Sequence, residues 1–152
     1  MAPLRILIVD DFPSWRQFVA TMLQDRPEYR IVGEASDGVE AVRKSAELQP
    51  DLVLLDIGLP RIHGIEAAKR ICAVAPQSKI LFVSENQCQD IVDAALRASA
   101  CTRGYIVKSD AGADLWPALQ ALNEDKQFVS PRLLSQARLL SASLGPLWSF
   151  SS

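Results

Sequence analysis

Apolar and polar positions follow two rhythms along this chain. Short, nearly continuous apolar runs take turns with stretches whose apolar positions recur every three or four residues. The first rhythm belongs to strands buried on both faces, the second to amphipathic helices. LRILIV (4–9), RIVGEA (30–35), DLVLLDI (51–57), KILFVS (79–84) and GYIVK (104–108) are predicted strands. The predicted helices are PSWRQFVATMLQ (13–24), DGVEAVRKSAEL (37–48), about 64–74, about 89–99, and a last one ending near Asn123. Pro13 suits a first helical turn, where its missing N–H costs nothing, and Asp37 suits an N-cap. Five strands and five helices in strict alternation predict an α/β fold, a doubly wound parallel sheet covered on both faces.

In open parallel sheets ligands bind beyond the carboxyl ends of the strands. Asp10 and Asp11 follow the first strand, Asp56 closes the third, Ser84 the fourth and Lys108 the fifth. Four strands thus deliver polar groups to one edge. Three carboxylates in one pocket repel each other, and a hard divalent cation such as Mg²⁺ resolves that repulsion while accepting phosphate oxygens as further ligands. Aspartate can act as a nucleophile and form an acyl phosphate; a lysine and a hydroxyl beside it supply charge and a donor for a transferring phosphoryl group.

The four segments IVDDF, LLDIGLP, FVSEN and GYIVKS, in this order and spacing, resemble the receiver domain of two-component response regulators over residues 4 to about 123. The resemblance implies a flavodoxin-like (βα)5 fold with strand order 2-1-3-4-5 and phosphoryl transfer from a sensor histidine kinase or phosphotransfer protein. By the same resemblance Asp56 is the phosphoacceptor, and Asp11, Asp56 and the main-chain carbonyl of Gly58 hold Mg²⁺, with Asp10 acting mostly through water. Lys108 pairs with the acceptor, Ser84 is the switch hydroxyl and Tyr105 the switch aromatic. GYIVKSDAGADLWPAL and QFVSPRLL resemble the LuxR-type subclass, which implies a transcriptional regulator and a possible homodimer through the fourth helix, fifth strand and fifth helix.

Three departures stand against the family pattern. Glu85 occupies the position after the switch serine, where a small residue is usual, and is expected to set a fourth carboxylate near Asp56. RASACTRGY is about two residues longer than usual near Ser99–Thr102. Pro117 lies inside the expected last helix, which would have to start late, capped by Asp114. Trp116 beside it is expected to feel any rearrangement of Ser84 and Tyr105. His63, in the loop after Asp56, is expected at the surface.

Composition narrows the alternatives. The chain has 152 residues, 49% of them hydrophobic, and a net charge of −2. That is enough apolar material for a core, and it offers nucleic acid no basic stripe. No apolar run reaches the ~20 residues of a membrane span, and no signal-like segment precedes Leu4, so no membrane partner and a cytoplasmic placement are expected. Cys72, Cys88 and Cys101 form no C-x-x-C and are expected as free thiols. The expected division is a receiver at 1–124 and a linker or helical tail at 125–152, with Leu133, Leu134, Ala137 and Leu140 on one face and no DNA-binding domain. Competing readings are a stand-alone relay, a scaffold that is never phosphorylated, and a Mg²⁺ phosphohydrolase. The last is disfavoured because its nucleophile and acid would sit two apart on the first strand.

Overall fold

The computed structural model describes residues 2–136. Ala137 and Leu140 of the tail lie outside the described residues. The expected elements are present in order: β1 (Leu4–Val9), α1 (Pro13–Leu23), β2 (Tyr29–Ala35), α2 (Gly38–Leu48), β3 (Leu52–Leu55), α3 (Gly64–Val74), β4 (Lys79–Ser84), α4 (Gln89–Leu96), β5 (Thr102–Val107) and α5 (Ala111–Asn123). Lys108–Asp110 form a 3₁₀ turn between β5 and α5, and a short β6 (Phe128–Val129) follows. Residues 131–136 are helical.

The sheet runs β2-β1-β3-β4-β5-β6, every pairing parallel. Strand order therefore reverses at β1, between β2 and β3, and the ends of β1 and β3 flank the crevice where such sheets bind ligands. Alternate strand residues feed two separate cores. Leu7, Val9, Val53, Leu55, Phe82 and Tyr105 pack with α2, α3 and α4. Ile6, Ile8, Leu54, Leu81 and Ile106 pack with α1 and α5 through Val19, Leu23, Leu115 and Leu119. Each fully buried side chain of this kind contributes about 1.5–3 kcal/mol of transfer free energy, which holds the strand ends in place.

Local chemistry sets the element boundaries. Pro13 opens α1, and the Asp37 carboxylate caps α2 by accepting from Glu40 N at 2.8 Å. α5 does not start late: it begins at Ala111 and carries Pro117 in its interior. Proline's missing N–H deprives the Ala113 carbonyl of its helical donor. Both residues are exposed, so water can serve that carbonyl. Asp114 is consequently no cap; it is buried and its Oδ2 accepts from Ser130 Oγ at 2.8 Å.

The sixth strand was not expected, because two residues are too few to carry a period. Gly104 admits it: a Cβ there would run into the Phe128 carbonyl oxygen. The cysteines also differ from expectation. Cys72 on α3 and Cys101 before β5 form a disulfide, with Cα atoms 5.8 Å apart, and only Cys88 is a free, exposed thiol among the described cysteines. The compartment argument took no account of proximity: α3 and the long loop before β5 bring the two sulfurs together. That loop is further closed by a Ser99–Thr102 hydroxyl contact of 3.0 Å. Among the described residues no helix is long and apolar enough to cross a membrane.

Candidate functional site

β1 ends at Val9, and the next two residues turn over the edge of the sheet. Asp10 N donates to Ala35 O at 3.0 Å, and Asp10 Oδ1 accepts from Phe12 N at 2.9 Å. Arg16 on α1 donates through Nη1 to the Asp10 carbonyl at 2.6 Å while its Nε pairs with Glu34 at 3.0 Å. On the neighbouring strand, Asp56 N donates to Val9 O at 3.1 Å, and Asp56 Oδ1 accepts from Ile57 N at 2.8 Å. One carboxylate oxygen from each of Asp10, Asp11 and Asp56 lies within 4.8 Å of the others. Gly58, two residues beyond Asp56, is exposed.

The loop after Asp56 folds back on itself. Leu59 N and Gly64 N both donate to Ile57 O, at 2.9 and 2.7 Å, and Ile62 N donates to Pro60 O at 2.8 Å. Arg61 takes a left-handed φ of 70° to close the turn. Gly64 is required where α3 begins, because a Cβ would collide with the Asp56 carbonyl oxygen. His63 is exposed as expected, yet it caps α3, its Nδ1 accepting from Ile65 N at 3.4 Å.

Lys108 reaches the acids from β5. Its Nζ is 2.6 Å from Asp10 Oδ2 and 3.8 Å from Asp56 Oδ2. The shorter approach is a charge contact at an angle outside hydrogen-bond geometry, so Asp10 Oδ2 has no hydrogen-bond partner; neither has the buried Asp11 Oδ1. The ammonium also lies 5.1 Å from the Trp15 ring centroid and 5.6 Å from that of Phe12, an aromatic wall that shields it from water.

Asp11 Oδ1, buried with no hydrogen-bond partner, and Asp10 Oδ2, met only by the Lys108 charge, lie beside a third acid, a set that fits a hard cation with oxygen ligands. Asp56 is 7% exposed, and burial raises its pKa above the ordinary carboxylate value. Lys108 and the Ile57 amide oppose that rise, while the charges of Asp10 and Asp11 add to it.

The expected switch pair lies one strand further on. Ser84 is buried, and its Oγ accepts from Asn86 N at 3.1 Å. Tyr105 is fully buried against Phe82 and donates its hydroxyl to Asn86 O at 2.6 Å. Burial pushes its pKa up to about 12, with the Ser84 hydroxyl opposing the rise. Both side chains therefore meet at the start of the β4–α4 loop.

Two further residues have definite partners. Glu85 Oε1 accepts from Ser109 N at 2.8 Å, bridging the β4–α4 loop to the turn after Lys108. Trp116 packs in the α1–α5 core, on the opposite face of the sheet from Tyr105. It stacks on Tyr29 at 6.0 Å with the Arg26 guanidinium 4.3 Å from its ring centroid. Sequence reasoning missed Arg16 and Ser130. Arg16 sits six residues after Asp10 on a predicted helix, and that spacing was the available signal.

A doubly wound sheet with three acids and a lysine converging at its switch point defines a receiver-type site. The model of the response regulator receiver domain matches residues 6–120, and the chain belongs to that family. The chain is 32% identical over 139 residues to the transcriptional regulatory protein LiaR of Bacillus subtilis, covering 89% of this chain and 65% of LiaR. It is 31% identical over 138 residues to the response regulator GacA of Pseudomonas viridiflava, covering 91% of this chain and 64% of GacA. The chain thus spans just under two thirds of the length of these curated relatives. A crystal structure of a LuxR-family two-component response regulator from Aurantimonas sp. SI85-9A1 superposes with a TM-score of 0.85 at 31% identity, over 92% of this chain and 99% of that one.

Proposed function

We propose that the chain is a phosphoryl-accepting switch in which Asp56 takes a phosphoryl group from a histidine kinase or phosphotransfer protein. The observation that carries this reading is the pocket itself: a buried carboxylate with its pKa raised, two further acids within 4.8 Å, and Lys108 spanning the first and third strands. Asp10, Asp11, Asp56 and the main-chain carbonyl of Gly58 would hold Mg²⁺. When bound, the ion would neutralise charge on the acids and on the incoming phosphoryl oxygens.

The chain's own residues do the remaining work. Asp56 Oδ1 is held by the Ile57 amide, which leaves Oδ2 as the attacking atom. Attack on phosphorus by Oδ2 forms the acyl phosphate while the donor's bond to phosphorus breaks and its electrons leave with the donor group. Lys108 follows the added charge from Asp10 towards the phosphoryl oxygens, and Ser84 Oγ donates to one of them, giving up its bond from Asn86 N. Tyr105, whose hydroxyl holds Asn86 O, senses that movement. The receiver unit is residues 1–124, followed by a linker that leads, in a LuxR-type regulator, to a transcriptional output. A homodimer through α4, β5 and α5 would have to include residues 128–129, because β6 lies along the free edge of β5.

The test uses acetyl phosphate and Mg²⁺ with intact-protein mass spectrometry. One phosphoryl group, stable to acid and labile to hydroxylamine, is expected on the protein and none on Asp56→Asn. Equal labelling of Asp56→Asn would refute the assignment.

A further inference from the structure

Residues 128–136 contact Tyr105 and residues close in sequence to Lys108 and Ser84. Gly104 and Tyr105 pair with Phe128 and Val129 along β5 and β6, and Ser130 N donates to Tyr105 O at 3.0 Å. Ser130 is fully buried, and its hydroxyl joins two groups: it accepts from Val107 N at 3.0 Å and donates to Asp114 Oδ2 at 2.8 Å. Val107 is the residue immediately before Lys108. Two residues after Ser130, Arg132 grips Asp110 with two bonds, Nε to Oδ2 at 2.8 Å and Nη2 to Oδ1 at 2.9 Å. Asp110 belongs to the 3₁₀ turn that starts at Lys108. Leu133 is 2% exposed in the α2–α3–α4 core, and Gln136 Nε2 donates to Gln87 O at 3.0 Å, in the loop that follows Ser84.

These bonds have different strengths, and the difference defines a device. The Ser130–Asp114 link and the Leu133 side chain are buried and hold the segment to the receiver. The Arg132–Asp110 and Gln136–Gln87 bonds are partly exposed, and each ends on a loop carrying a residue of the phosphorylation site. A shift of the backbone at the turn starting at Lys108, or at Asn86–Gln87, would strain them.

We propose that residues 128–136 are an output strap: seated across β5 by both switch loops while Asp56 is free, and loosened when Asp56 is occupied. The strap passes the state of Asp56 to the chain that continues beyond it. The inference rests on Asp56 being the acceptor. Coupling of this kind is reciprocal, so whatever loosens the strap tightens binding of a phosphoryl analogue at Asp56 by the same factor.

The experiment is amide hydrogen exchange on the full chain with Mg²⁺, with and without beryllofluoride, with ¹⁹F NMR reporting occupancy of Asp56. Exchange in 128–136 is expected to rise about fivefold on loading, a change that sits within ordinary coupling. Arg132→Ala removes a surface pair outside the acid pocket and should leave the fold intact. It is expected to speed exchange in the strap in the unloaded protein and to tighten beryllofluoride binding by a similar factor. Unchanged exchange in 128–136 with Asp56 loaded overturns the strap, as does an Arg132→Ala affinity equal to that of the parent. If ¹⁹F NMR shows no loading, the acceptor assignment fails instead. The coupling is then read from Arg132→Ala alone: exchange must rise together at 128–136, Val107 and Cys88, and a rise confined to the strap overturns it.

Discussion

The ammonium of Lys108 rests on Asp10 rather than Asp56, 2.6 Å from the former's Oδ2 and 3.8 Å from the latter's. Asp56 is thereby left with the weaker share of the cation while burial and two neighbouring acids act against its charge. A carboxylate in that position is held in wait for positive charge.

The pH dependence follows from this. A folded-state pKa above the unfolded value means that the native protein binds more protons, so stability falls as pH rises from the unfolded carboxylate value, about 4, through the raised folded value. Asp56→Asn abolishes that loss. Without Mg²⁺, Asp56→Asn is expected to melt higher than the parent at pH 7, and the difference should shrink below about pH 4. A variant that melts lower at pH 7 would show that Lys108 outweighs burial.

Trp15 is the natural reporter of the pocket, since Lys108 Nζ stands 5.1 Å from its ring centroid. Mg²⁺ is expected to alter tryptophan fluorescence in Trp116→Phe as in the parent, and to leave Trp15→Phe silent. Asp11→Ala, which removes one of the three clustered carboxylates, should weaken the Mg²⁺ titration by at least about tenfold. Titration with calcium and magnesium in parallel checks that the response is to a specific site.

Glu85 acts through Ser109. Its bond to the Ser109 amide has an order-of-magnitude value of about 0.5–1.5 kcal/mol, so Glu85→Ala should speed exchange of that amide roughly two- to tenfold. Glu85→Gln keeps an acceptor and should restore most of the protection. If Glu85 worked mainly by repelling charge at Asp56, alanine and glutamine would behave alike.

The Cys72–Cys101 bridge closes a loop with a sequence separation of 29 residues. Oxidised protein should therefore show one reactive thiol, Cys88, among these three, and all three after reduction and unfolding. Reduction is expected to lower stability by about 2–4 kcal/mol in the chain-entropy account. Equal melting before and after reduction, with thiol counts confirming the change, would assign the pair a purely packed role.

The strands and their carboxyl-terminal acids were legible because apolar continuity and strand-end position are local signals. Asp37 as a cap and Pro13 as an opener were legible for the same reason. The Cys72–Cys101 bond was not, since it depends on how α3 meets a loop 29 residues away. The bond from Ser109 N to Glu85 was not legible, because the sequence gives a residue's neighbour but not the partner of its side chain. Trp116 lies on α5 as expected, but its position on the α1 side of the sheet, away from Tyr105, was not legible, because periodicity gives a helix an apolar stripe and not the face of the sheet that stripe covers. β6 needed both Gly104 and a Ser130 hydroxyl, two signals 26 residues apart that mean nothing separately.

Gly64 has a kinetic meaning. By letting α3 start directly against the Asp56 carbonyl, it completes the ring of hydrogen bonds through Ile57 and Pro60 before any ligand arrives. The seat around Asp56 is preformed, so under the proposed function loading would require no loop to be ordered first. Small donors and protein donors would then meet the same surface, and the ratio of their transfer rates would report chiefly on the donor.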